Sequence, residues 1–80
     1  MKLDKKLIDF ARENQEVSTV YRSNSTYYLV VNKKNDGIEE KIRDLGLELN
    51  IISESISLVP IRKSEVKEIP AKTRIYQKVI

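Results

Sequence analysis

Eighty residues with a formal charge of +3 contain neither histidine nor cysteine. That double absence excludes Ser-His-Asp and Cys-His nucleophile systems, metal sites built from nitrogen and sulfur ligands, and any disulfide. A hydrophobic content of 40% with 34% charged residues is that of a folded chain, and at this length a single domain over 1–80 buries only roughly 60 to 65% of its unfolded surface, so its core is thin.

Leu3, Leu7, Phe10 and Ala11 recur at the i, i+4, i+7, i+8 spacing of one helical face, which predicts a helix from about Leu3 to Asn14. Val17 to Arg22 and Thr26 to Asn32 are rich in β-branched and aromatic residues and flank the turn-forming Ser23-Asn24-Ser25, the pattern of a hairpin. Its second strand, Tyr27-Tyr28-Leu29-Val30-Val31, is apolar on both faces and therefore central.

Asn35-Asp36-Gly37 supplies an N-cap, and Ile38, Ile42 and Leu45 form the stripe of a second helix, with Gly46 as its stop signal. Leu47, Leu49 and Ile51 then alternate with polar residues, and Ser53-Glu54-Ser55 leads into Ile56 to Ile61, which predicts a second hairpin. Between Pro60 and Pro70, Ser64 to Ile69 is either a single helical turn, capped by Ser64 with Val66 and Ile69 inward, or an irregular connection. Thr73 to Ile80 resumes strand alternation and reads as an edge strand.

The expected fold is α+β: a two-layer sandwich in the order αββαββ(β), with a mainly antiparallel sheet and two helices on one face. Two αββ units in succession suggest a duplication, but the residues do not repeat, and alternation of this kind is ordinary in small folds.

Several constellations fail as chemical sites. Asn32, Asp36 and Gly37 match the first, fifth and sixth positions of a calcium loop, yet Lys34 and Arg43 stand where carboxylates are needed. Glu39, Glu40 and Asp44 fall on a helix face turned to water, and the two glycines form no phosphate-cradling loop. The expectation is a non-enzymatic chain without metal or cofactor. No apolar leader or spanning segment is evident, so the expected setting is the cytoplasm, without membrane association.

Charge is unevenly spread: residues 60–80 carry six Lys or Arg against two Glu, while residues 1–59 carry nine against ten. Clustered cations favour polyanions. Arg74, Tyr76 and Lys78, two apart on the last strand, would share a face on which two cations meet phosphates and a ring stacks on a base, with Arg62, Lys63 and Lys72 extending the patch. A nucleic-acid-binding module is the expected function, against the plainer reading that this is a solvated strand face. The alternative is a protein-interaction module, an adaptor, inhibitor or homodimer, that uses a sheet edge and the four tyrosines.

Overall fold

A computed structural model describes residues 2–33, 35–48 and 56–78. Helix α1 spans Lys2–Glu13 and buries Leu7 and Ala11 completely. Asn14 terminates it, its Nδ2 donating to the Phe10 carbonyl at 2.8 Å, which satisfies one of the carbonyls orphaned at a helix end. The hairpin follows as β1 (Val17–Ser23) and β2 (Thr26–Val31), paired antiparallel. Between Ser23 and Thr26 the chain turns through Asn24 at φ 55°, in the left-handed region that asparagine tolerates better than most residues.

Helix α2 (Asp36–Glu48) starts from Asn35, whose Oδ1 accepts the Ile38 amide at 2.9 Å, and turns Ile38, Ile42 and Leu45 inward. The helix does not stop at Gly46. That glycine lacks the left-handed backbone of a C-terminal cap, and the helix runs on through Leu47 and Glu48, both good helix formers. Leu47 therefore does not begin a strand; the remainder of that expected strand, with the turn at Ser53 to Ser55, lies outside the described residues.

Strand β3 (Ser57–Arg62) pairs parallel with β2, from Thr26 opposite Ser57 to Val31 opposite Arg62. A helix between two neighbouring strands is the connection that parallel pairing requires. Residues Lys63–Glu68 form a short 3-10 helix, η1, before β4 (Thr73–Gln77) closes the sheet beside β1. The order β3-β2-β1-β4 makes a four-stranded mixed sheet with two antiparallel pairings and one parallel. Strand β4 is an edge strand, as expected; Val79 and Ile80 lie outside the described residues.

The main core fills one face, where Val17, Val20, Tyr27, Leu29 and Val31 meet both helices. A second, smaller cluster of Val30, Ile61 and Ile69 occupies the opposite face, flanked by half-buried Tyr21, Tyr28, Val59 and Val66. The bare sheet face of a strict two-layer sandwich is thus partly covered by η1. Strand β2 is apolar on both sides because it is interior to the sheet and serves both clusters.

Candidate nucleic-acid interface

The smaller face is built by the chain between Pro60 and Pro70. Glu65 Oε1 accepts the Arg62 amide at 2.9 Å, and the Ile69 amide donates to the Val66 carbonyl at 3.1 Å. These bonds hold η1 across the sheet with Ile69 buried and Val66 half-buried. The cap at the start of this turn is the Glu65–Arg62 bond, not the Ser64 hydroxyl. Beyond it, buried Ser23 donates its Oγ hydrogen to the Pro70 carbonyl, and Ala71 reverses the chain at φ 46° into β4.

Between η1, β1 and the end of β4 lies an open cavity of about 770 Å³. Tyr21, Thr19 and Val30 contribute from the sheet, and Lys63, Lys67, Lys72 and Lys78 converge on it from η1 and the two ends of β4. No carboxylate is among the described residues that line it. Lys63, Lys67 and Lys72 are exposed, whereas Lys78 is half-buried. Lysine side chains bordering one hollow make it electropositive, and the natural counterpart of such a surface is an anion with several charges.

The residues singled out from the sequence divide. Lys63 and Lys72 line the hollow. Arg62, exposed at the end of β3, and Arg74, exposed and opposite Tyr21, stand outside its lining. Tyr76 is turned away: Val20 pairs with Tyr76 and the next residue, Tyr21, pairs with Arg74, so Ile75 is an extra residue in β4. Such a bulge re-aims the side chains beside it, and both Ile75 and Tyr76 pack on the main core under the helices. The expected common face of Arg74, Tyr76 and Lys78 is therefore broken. Lys78 borders the hollow, but its Nζ donates to the Asn14 carbonyl at 3.1 Å, a cation at the C-terminal end of α1 where the helix dipole favours one.

Two contributors were missed in the sequence. Lys67 follows Lys63 by four residues in the segment left between helix and loop. Tyr21 sits between Val20 and Arg22, both of which face the helices, so alternation alone aims it at the other face. Arg22, near in sequence, does not join the patch. Its Nη1 lies 3.3 Å from Asp4 Oδ2, and the Tyr27 hydroxyl donates to the same carboxylate. This group ties α1 to the hairpin, and burial, then the hydrogen bond to Asp4, raises the Tyr27 phenol above its ordinary value of 10.0.

No family model matches this chain, and no curated protein or solved structure matches it with significance. Among the described residues no helix is long and apolar enough to cross a membrane, and no group of three or more carboxylates is placed to hold a metal ion.

Proposed function

We propose that the chain is a small, non-catalytic module that binds nucleic acid in the cytoplasm through the lysine-ringed hollow. The observation that carries the reading is that Lys63, Lys67, Lys72 and Lys78 border one concavity whose described lining holds no carboxylate. The phosphate backbone supplies anionic charge at regular spacing, and each phosphate neutralised releases condensed counterions, so such a site yields salt-dependent affinity. Tyr21 adds a ring surface beside the cations, the combination that single-strand binders use. The lack of histidine and cysteine accords with a binding role without catalysis.

Strand addition at a sheet edge has less support. Pro60 removes a backbone donor from β3, and the bulge at Ile75 interrupts β4; both devices oppose edge pairing.

The test is fluorescence anisotropy of labelled duplex DNA, single-stranded DNA and RNA at about 50 mM and about 200 mM salt. Neutralising three to four phosphates gives a slope of log affinity on log salt of about −2 to −4. The Lys63→Glu/Lys67→Glu/Lys72→Glu variant, its fold checked by circular dichroism, is expected to lose at least about tenfold in affinity, since three cations become anions. Arg74→Glu/Lys78→Glu is the poorer test because Lys78 also holds the end of α1. Equal affinity of the triple variant and the parent chain refutes the reading.

A further inference from the structure

Resting on that reading, we infer that the hollow selects an unpaired nucleobase, with Tyr21 as its stacking platform and the phosphates of the same strand on Lys63, Lys67 and Lys72. The site thus discriminates single strands from duplex. Three observations lead there. Tyr21 is recessed: it packs beside the Val30, Ile61 and Ile69 cluster and is half-buried, while the lysines at the rim are exposed. A duplex keeps its bases stacked inside and is read by an element that protrudes into a groove; a recessed ring within a concavity reaches none of its bases. A single strand splays a base outward, and every base has a π-face to lay on an aromatic ring.

The second observation is the position of the helices. Both α1 and α2 lie on the opposite face of the sheet, and on α2 the exposed Glu39, Glu40 and Asp44 outnumber the exposed Lys41 and Arg43. The exposed Lys5, Lys6 and Arg12 of α1 belong to a helix on that opposite face, so neither helix lies on the face of the hollow. The third is size. A cavity of about 770 Å³ lies within the range of roughly 300 to 1,000 Å³ typical of small-ligand sites, room for a nucleotide but not for a helical rod.

The chain contains no tryptophan, so Tyr21→Trp installs a lone reporter at the platform. Its emission is expected to be quenched on addition of an oligothymidylate of about 12 nucleotides, a length in the range of small single-strand sites. In anisotropy, the same oligonucleotide is expected to bind the parent chain at least about tenfold more tightly than a duplex of equal length. Tyr21→Leu is expected to lose about 5- to 150-fold, the span of one stacked base, and Tyr21→Phe, which keeps the ring, to stay within about threefold of the parent.

Several outcomes overturn the inference. One is duplex bound as tightly as single strand with Tyr21→Leu unchanged. If the Lys63→Glu/Lys67→Glu/Lys72→Glu variant still loses that binding, the nucleic-acid reading survives and only the selection for an unpaired base falls. A second is binding of Tyr21→Trp without quenching, which puts the base elsewhere. A third is thymidine monophosphate binding as tightly as the oligonucleotide, which makes the ligand a free nucleotide. Absence of binding to any probe at about 50 mM salt removes both readings together.

Discussion

The two faces of the sheet are made from the same strands, yet they have opposite character. Under the helices, Leu7, Val17, Val20 and Leu29 are sealed from water, and the polar group of Asp4, Arg22 and Tyr27 is internally paired. On the other face a short 3-10 helix covers only part of the surface, leaving Tyr21 half-buried beside a hollow bordered by lysines. The difference teaches where an 80-residue chain can place a binding surface. Its thin core must concentrate apolar burial on one side, so the other side is free to expose aromatic and charged groups whose contribution to stability is small.

The sharpest way to break this contrast is to truncate equivalent positions on β2 and η1. Leu29→Ala, in the sealed core, is expected to cost about 2 to 5 kcal/mol in urea unfolding, enough to threaten folding at this size. Val66→Ala, half-buried on the open face, is expected to cost about 1 kcal/mol or less. Equal losses would mean that both faces carry the fold.

Alkaline pH probes the paired polar group of the sealed face. The Tyr27 phenol titrates above its unfolded value of 10.0, so its neutral form is favoured in the folded state. The corresponding stability is complete below about pH 10 and is lost as the pH rises through the raised folded value. Tyr27→Phe is expected to lower the unfolding free energy in urea at about pH 8 by on the order of 1 kcal/mol, through the lost hydrogen bond to Asp4. It is also expected to flatten the decline between about pH 9 and about pH 11. An identical slope in both proteins would assign the alkaline transition to other groups.

On the open face, Lys67→Ala is expected to leave the unfolding free energy within about 0.5 kcal/mol while reducing the salt slope of nucleic-acid binding by about one. Lys78 lies between the two behaviours. Because its ammonium caps α1 at Asn14, Lys78→Ala is expected to lower stability by about 0.3 to 1 kcal/mol in addition to any effect on affinity. A Lys78→Ala variant of unaltered stability would make it a binding residue alone.

Local patterns were readable along the chain. The stripes of both helices, the hairpin and its turn at Asn24, the interior character of β2 and the edge position of β4 all follow from periodicity and turn chemistry. For Ser64 to Ile69 the pattern left two options, and the structure has the helical one, with Val66 and Ile69 inward. For the interface, Lys63 and Lys72 were legible as charge, and their meeting in space was not.

Tertiary structure decided the rest. The parallel pairing of β3 with β2 had no signal in the strand's own pattern, and α2 runs past Gly46, whose backbone is not left-handed, while the rest of the expected hairpin lies outside the described residues. The face presented by Tyr76 depends on one extra residue, Ile75, whose bulge arises from the register against β1 and has no signal in a single strand's alternation. The lysine ring around Tyr21 joins residues more than forty positions apart in the chain. Their proximity is set by η1 folding back across the sheet, a consequence of packing Ile69 on Val30 and Ile61. Periodicity reports the direction of a side chain relative to its own element; only the packing of elements determines what it faces.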